Sequence, residues 1–243
     1  EVEAITVLKN ALEKIQKGEE VERGTLQTVF VYQPYDEVRR LGVRRKTEAA
    51  SRSAFPEATG MIVVGQVVPG GPAAGLLEPG DVVVNLNGQK LGGFIELESV
   101  LDDSVGGRVV LDIERGGEMR RVELAVDDLH SITPDRYLEF GGGVLNPLSY
   151  HQARNHSIPV EGVYLASPGY AFSRVGIPRG VIITHVGGVK VPDLEHFEAE
   201  MPASTLQRQS PWVVMKWSLW PSLLSRHHLY HSLMGRELLD LFI

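Results

Sequence analysis

Three residues of the types used in nucleophilic catalysis lie close together: Asp128, His130 and Ser131. An acid, a base and a hydroxyl act as a triad when their side chains converge from separate elements, so that the histidine is oriented on the serine. Here all three fall within four consecutive residues. We therefore interpret this stretch as a linker turn and predict no catalytic residue in the chain.

Patterns for metals and phosphates are also incomplete. His227 and His231 have the i, i+4 spacing of a helical metal pair, with His228 between them, but no Glu or further ligand pattern accompanies them. Gly141–Gly143 is followed by neither Lys-Ser/Thr nor the start of a helix, as a phosphate loop requires. The lack of cysteine excludes thiol nucleophiles and thiolate metal sites. We predict no metal site and no cofactor.

Charge and hydropathy narrow the class of protein further. The 243 residues carry a net charge of −7, which argues against a nucleic-acid-binding surface. No run of about 18 apolar residues is present, so we predict no membrane span. One basic cluster is interpreted as a solvated helix end, with a nuclear-import or anionic-partner patch as the alternative. It consists of Arg39, Arg40, Arg44, Arg45 and Lys46, flanked by Asp36, Glu37 and Glu48.

The elements that would position any site occur twice. Residues 76–91 and 176–191 each read as a proline-containing turn, a β-branched strand, a tight glycine turn and a return strand. This period is too long for a solenoid unit and indicates a domain duplicated in tandem. The predicted divisions are a connector helix at 1–18, a first domain at 19–128, a second at 129–218 and a divergent tail at 219–243.

Periodicity gives the elements of each copy. In the first copy we predict helices at 2–17, 36–41 and 94–103, strands at 25–31, 61–68 and 81–86, an Asn87-Gly88 turn and a hairpin over 108–126. In the second we predict strands at 141–145, 162–166 and 211–219, a helix at 193–201, no closing hairpin and a helix-compatible scatter over 220–243. The fold class is α+β, with two small, partly open β-barrels or sandwiches, each capped by two helices.

The segment Leu77–Gly88, with its Pro-Gly-Asp turn and Val-Val-Val-Asn-Leu-Asn-Gly strand, resembles a PDZ domain of the HtrA/Deg serine proteases. Further segments are similar to the large branch with two protease units, which includes fungal nuclear and plant Deg-type members. They are Arg23–Phe30, Tyr35–Gly42, Asp128–Asp135 and Ser167–Arg174. The resemblance covers roughly residues 5–218. It implies two tandem PDZ domains that follow a protease domain.

The resemblance also implies a site. A PDZ domain accepts an extended peptide as an added strand, while backbone N–H groups of a glycine-containing loop hold its terminal carboxylate. This places the loop at 24–27, the receiving strand at 28–31 and the facing helix at 94–101. The predicted peptide-binding residues are Gly24, Thr25, Leu26, Gln27, Thr28, Val29, Phe30, Phe94, Leu97, Val100 and Leu101.

The loop departs from the family pattern. Gln27 stands where a glycine is usual, and Thr28 replaces a hydrophobic residue. A β-carbon makes positive φ cost about 1 kcal/mol, so we expect internal segments to be as suitable as free C-termini. A groove that only docks against the protease unit is the alternative. In the second copy, Gly141–Gly143 could form a nest, but the strand runs into Pro147. We expect that copy to be a structural or oligomer contact.

The resemblance implies a non-catalytic region that binds extended or unfolded polypeptide and regulates an upstream protease domain in protein quality control. A homo-oligomer is left open, and peptide specificity is not determined. The alternatives are a free-standing PDZ scaffold that binds peptide tails, and a degenerate fragment in which only the first domain folds. We expect an intracellular location, since cysteine is absent, and the relatives point to the nucleus or an organelle.

Overall fold

The computed structural model describes residues 2–18, 20–201, 214–218 and 228–232. The chain divides into two compact units, 1–132 and 133–243. Among the described residues, no helix has both the length and the apolar character that crossing a membrane requires.

The first unit is a mixed helix and sheet structure. Its elements are α1 (Val2–Lys17), β1 (Gly24–Thr25), β2 (Thr28–Pro34), α2 (Tyr35–Arg40), α3 (Arg45–Ala54), β3 (Gly60–Val67), β4 (Val82–Leu86), β5 (Gln89–Lys90), α4 (Phe94–Asp102), β6 (Arg108–Arg115), β7 (Glu118–Ala125) and β8 (Asp127–Asp128). As predicted, Asn87 and Gly88 form the turn between β4 and β5, with φ of 50° and 81°.

The main sheet of this unit is antiparallel and open. Its strands follow the order β2-β3-β4-β6-β7, with β5 paired to β4, while β1 and β8 form a separate two-stranded pair. The sheet does not close into a barrel, so the α+β fold with partly open sheets is confirmed. Strand β2 therefore lies at one edge of the sheet.

The two faces of the sheet are covered by different helices, because successive strand residues point to opposite sides. On β3, Ile62 and Val64 belong to the cluster that includes Leu97 and Leu101 of α4. Met61 and Val63 belong to the opposite cluster, with residues of α2. Helix α4 thus packs on one face of the sheet, and alternate side chains of β2, those of Phe30 and Tyr32, lie on that same face.

Helix α3 is absent from the sequence-based prediction. Its ten residues, Arg-Lys-Thr-Glu-Ala-Ala-Ser-Arg-Ser-Ala, contain no large apolar residue and therefore give no hydrophobic periodicity. Two arginines instead surround the buried carboxylate of Glu48. The predicted strand at 25–31 is also interrupted, since Leu26 and Gln27 separate β1 from β2.

The second unit repeats the arrangement. Its described elements are β9 (Leu138–Phe140), β10 (Gly143–Pro147), α5 (Tyr150–His156), β11 (Val163–Ser167), α6 (Gly169–Arg174), β12 (Ile182–Val186), β13 (Val189–Lys190), α7 (Leu194–Glu200), β14 (Val214–Ser218) and β15 (His228–Ser232). The strand order is β15-β14-β12-β11-β10-β9, with β13 paired to β12. Phe140 packs edge-to-face on Phe172 and Phe197, with ring centroids 6.0 and 6.3 Å apart.

Two predictions for the end of the chain are wrong. We expected no closing strand pair, yet β14 and β15 pair antiparallel over five residues each. We expected a helix-compatible tail, yet 228–232 is a strand, so His228 and His231 do not have helical spacing. The other predictions for 202–213, 219–227 and 233–243, including those for His227, lie outside the described residues.

Candidate functional site

The edge of β2 is the first component of the candidate site. Among the described strands, β2 pairs only with β3. The Val68 N–H donates to the Gln27 carbonyl at 3.0 Å, and the Tyr35 N–H donates to the Thr59 carbonyl at 3.1 Å. Because backbone groups alternate between the two sides of a strand, these bonds at both ends fix which residues of β2 face outward.

The outward set is Thr28, Phe30, Tyr32 and Pro34. The backbone groups of residues 27 and 35 point inward, and the direction of these groups alternates from one residue to the next. The shift in register between β2 and β3 falls between Val29 and Phe30. Proline lacks an N–H and is tolerated where that side of a strand faces solvent, which agrees with Pro34 in this set. The backbone of three residues, at 28, 30 and 32, is therefore positioned to pair with another strand.

The predicted side chains separate into a core set and a surface set. Leu26, Leu97 and Leu101 are 2%, 2% and 5% exposed and belong to the core. Phe30 and Val100 are half-buried and pack on that same cluster. The half-buried residues can contact a ligand, whereas the buried residues support the surface from beneath.

Exposure varies among the remaining predicted positions. Phe94, at the start of α4, is 37% exposed, Thr28 and Val29 are half-buried, and Thr25 is buried. The strand and helix predicted from the resemblance thus lie at the sheet edge and over one face of the sheet. Their ligand-binding role remains a prediction.

The loop before β2 is anchored to the end of α4. The Gly24 N–H donates to Asp102 Oδ1 at 2.8 Å. A β-carbon on Gly24 would overlap the Leu101 carbonyl oxygen, so a close backbone approach requires glycine here. Burial raises the pKa of Asp102 above its usual value, while the Gly24 N–H and the Arg23 guanidinium act in the opposite direction.

Gln27 adopts the conformation that glycine would normally provide. Its φ is 51°, and its side chain is buried. The side-chain Nε2 donates to Asp127 Oδ2 at 3.0 Å, and the backbone N–H donates to Thr25 Oγ1 at 3.0 Å. The loop is therefore curled, but the Gln27 N–H already has an acceptor within the loop.

The Pro-Gly-Asp turn that carries the family resemblance has a structural role. Asp81 is 1% exposed and accepts two hydrogen bonds from Arg115, at 2.6 Å (Nε to Oδ1) and 2.7 Å (Nη2 to Oδ2). Its Oδ2 also accepts the Glu78 N–H at 2.8 Å. This network joins the turn before β4 to the end of β6.

In the second unit the corresponding edge is covered by the chain itself. Strand β10 lies between β11 and β9, with Gly143 opposite Phe140 and Leu145 opposite Leu138. Gly141 and Gly142, with φ of 56° and 77°, form the tight turn between β9 and β10. The glycines considered for a nest thus lie in a hairpin, with Gly141 and Gly142 in the turn and Gly143 at the start of β10.

The residues first considered for catalysis form a local turn. Ser131 Oγ donates to the Asp128 carbonyl at 2.7 Å, and the His130 N–H donates to Asp128 Oδ1 at 3.0 Å. His130 Nε2 lies 3.1 Å from the Val21 carbonyl oxygen rather than at the serine. In the part of the chain that the structure describes, no group of three or more metal-ligating side chains is found.

The sequence analysis missed the two carboxylates that hold the loop. Asp102 and Asp127 are 78 and 100 residues from the loop positions they bind. An isolated aspartate at such a distance gives no local pattern that could have identified it.

Two family models match the chain, one in each half. Residues 40–126 match the family described as PDZ domain, and residues 131–204 match the family described as PDZ-like domain. A solved structure, the HtrA-type protease AlgW with decapeptide, has 22% identity and a TM-score of 0.38, covering 49% of this chain and 33% of its own.

Two relatives are similar over most of the chain. Protease Do-like 7 of Arabidopsis thaliana is 50% identical over 179 residues, which are 73% of this chain and 16% of that protein. Pro-apoptotic serine protease nma111 of Aspergillus clavatus is 45% identical over 193 residues, which are 79% of this chain and 19% of that protein. The chain thus spans less than a fifth of the length of these relatives. It consists of two PDZ domains in tandem and belongs, as such a region, to the HtrA/Deg family of proteases.

Proposed function

We propose that the first PDZ domain binds extended polypeptide as an added strand on β2, and that it thereby regulates the protease unit of an HtrA/Deg-type endopeptidase. The observation that carries this proposal is the outer edge of β2, which no other described strand pairs with and which lies beside α4 and after a curled loop. Extended peptides join such edges through main-chain hydrogen bonds, which depend little on sequence. That property suits a domain that presents unfolded chains to a protease.

The ligand class follows from the loop. A free C-terminus needs several backbone N–H groups that converge on its carboxylate. The Gln27 N–H already donates to Thr25 Oγ1, so the loop offers one donor fewer than a glycine loop would. The binding of internal, extended segments does not depend on this donor, since such segments pair with the edge at Thr28, Phe30 and Tyr32. We therefore infer a preference for extended internal segments.

The second PDZ domain has a different role in this proposal. Strand β9 already pairs along Gly143–Leu145 of β10, so a ligand would first have to displace it. We infer that this domain acts as a structural or regulatory contact. The names of the Arabidopsis and Aspergillus relatives, both proteases, support the presence of a protease unit. We infer that this unit lies upstream and that the present region regulates it in protein quality control.

Backbone methylation of the ligand tests the binding mode. A binding decapeptide is selected from a random library and then N-methylated one amide at a time. Because alternate amides of an added strand face β2, affinity should fall with a period of two along the peptide. Loss of one net hydrogen bond of about 1 kcal/mol lowers affinity roughly fivefold. An equal loss at every position, or none, would contradict strand addition.

A surface variant locates the binding site on the protein. Val100→Lys places a charge on the half-buried wall beside β2 and should weaken peptide binding by about tenfold or more. Met119→Lys, on β7 with Met119 45% exposed, is the matched control and should leave affinity within about twofold. In the full-length protein, Val100→Lys should slow cleavage of an unfolded substrate more than cleavage of a short peptide. Unchanged peptide affinity in Val100→Lys would exclude this groove.

A further inference from the structure

A cleft lined by arginines lies beside α3 in the first unit. Its lining residues are Arg39, Arg45, Glu48, Ala49 and Arg52, and it has a volume of about 410 Å³. Clefts that hold small ligands typically enclose about 300–1,000 Å³, so this one is large enough for a ligand. The residues that define it play no part in the proposed peptide site.

Glu48 organises the cleft. Its side chain is 9% exposed, and both of its oxygens accept hydrogen bonds from arginines. Arg39 Nε donates to Oε2 at 2.7 Å, while Arg39 Nη2 and Arg52 Nε donate to Oε1 at 2.6 and 2.8 Å. The hydrogen bond from Arg39 lowers the pKa of Glu48 to about 2, so this carboxylate remains ionised at neutral pH.

The arginines retain donors for a further anion. The guanidinium carbon of Arg52 lies over the Tyr35 ring, 3.7 Å from its centre, which helps to hold this side chain in place. Its Nη1 and Nη2 donate to no acceptor found among the described residues. Arg45 begins α3, is exposed, and forms no ion pair within the described residues. Arginine forks of this kind bind carboxylate or phosphate oxygens in pairs.

The charge of the cleft indicates the class of ligand. Three guanidinium groups face one carboxylate, so the lining carries two excess positive charges in a chain whose net charge is −7. Asp36, which accepts from Arg39 Nη1 at 2.9 Å, has a side chain that is 84% exposed. A phosphate monoester carries about −1.5 to −2 at neutral pH and three acceptor oxygens. Its charge and acceptors match this lining.

We propose that this cleft binds a phosphate group, either as free phosphate or as the phosphorylated side chain of a polypeptide. Arg45 and the outer Nη groups of Arg52 contact its oxygens, while Glu48 holds Arg39 and Arg52 in place. The ordinary alternative is an ion-pair network that only stabilises α3, and the experiment below distinguishes the two.

Calorimetric titration of the whole chain in about 0.15 M salt tests the proposal. The probes are inorganic phosphate, a phosphoserine decapeptide and the same peptide with serine. Saturable binding of phosphate or phosphopeptide is expected. In Val100→Lys, where strand addition to β2 is lost, the phosphopeptide should still bind and the serine peptide should give no comparable heat. Tighter binding of the phosphopeptide than of phosphate assigns the site to modified polypeptides, and equal binding assigns it to the free ion.

Variants separate this site from general charge attraction. Arg45→Gln should lower phosphate affinity by about tenfold or more, and Arg52→Gln should do the same. Arg108→Gln, on the exposed side of β6, is the matched control and should stay within about twofold. Val100→Lys should keep phosphate binding while losing peptide binding, so that failure of one proposal leaves the other testable. The proposal is overturned if no saturable binding occurs, if Arg45→Gln has no effect, or if Arg108→Gln lowers affinity equally.

Discussion

Replacement of Gln27 by glycine tests whether its left-handed conformation is a defect or part of the loop's design. Glycine would relieve a φ of 51°, which costs a non-glycine residue about 1–2 kcal/mol. The greater flexibility of glycine in the unfolded chain offsets roughly 0.5–1 kcal/mol of this gain. On backbone grounds alone, the variant should therefore be neutral or slightly stabilised.

The side chain reverses this expectation. Gln27 is 7% exposed, and its Nε2 donates to the Asp127 carboxylate at 3.0 Å. A hydrogen bond to a charged group contributes about 1.5–3 kcal/mol, and Asp127 is half-buried, so the lower end of this range applies. The two buried methylenes add about 0.8 kcal/mol each. We expect Gln27→Gly to lower the free energy of unfolding by about 2 kcal/mol.

Hydrogen exchange provides the assay, because the three tryptophans, Trp212, Trp217 and Trp220, all lie outside the first unit and cannot report its unfolding. Amides of β3 should exchange roughly 30-fold faster in Gln27→Gly, since each 1.4 kcal/mol is tenfold. In an Asp127→Ala background the same replacement should cost about 1.5 kcal/mol less. Gln27→Ala keeps the strain but also one buried carbon and the stiffer unfolded chain, so it should lie within about 1 kcal/mol of Gln27→Gly. A more stable Gln27→Gly would refute the reasoning.

Three further predictions concern the loop, the turn and the arginine cleft. Gly24→Ala should displace the loop from the Leu101 carbonyl, lower stability by about 1–3 kcal/mol and weaken peptide binding. Gly93→Ser is the control, because its β-carbon meets open space, and it should change neither stability nor binding. Equal melting temperatures for the two variants would contradict this prediction. Asp81→Asn should lower the free energy of unfolding, measured with denaturant, by about 2–4 kcal/mol because Arg115 loses a buried partner. Glu118→Gln, which removes an exposed ion pair, should lower it by less than about 0.5 kcal/mol. The pKa of Glu48 is lowered from 4.5 to about 2, so its stabilising effect is complete above pH 4.5 and is lost as the pH falls from 4.5 towards 2. The stability difference between the wild type and Glu48→Gln, measured by exchange, should shrink over that interval, and a constant difference would count against it.

The sequence by itself determined the duplicated fold, because its signals are local. The Asn87-Gly88 turn, the apolar run of β3 and the apolar face of α4 each depend on neighbouring residues, and the structure has all three. The same is true of the Pro-Gly-Asp turn that indicated the family. Helix α3 was not predicted, because its ten residues lack the local signal, a periodic pattern of apolar residues.

Only the tertiary structure decided which edges are open and which side chains reach the surface. Within the described part of the chain, β2 has no strand on its outer side, whereas β9 covers β10, although the sequence predicts a similar strand at both places. Leu97 and Val100 lie on one helix, yet one is in the core and the other on the groove wall. The contacts that position the loop join Gly24 to Asp102 and Gln27 to Asp127, across 78 and 100 residues. Such pairings depend on chain closure between distant segments, which no local pattern encodes.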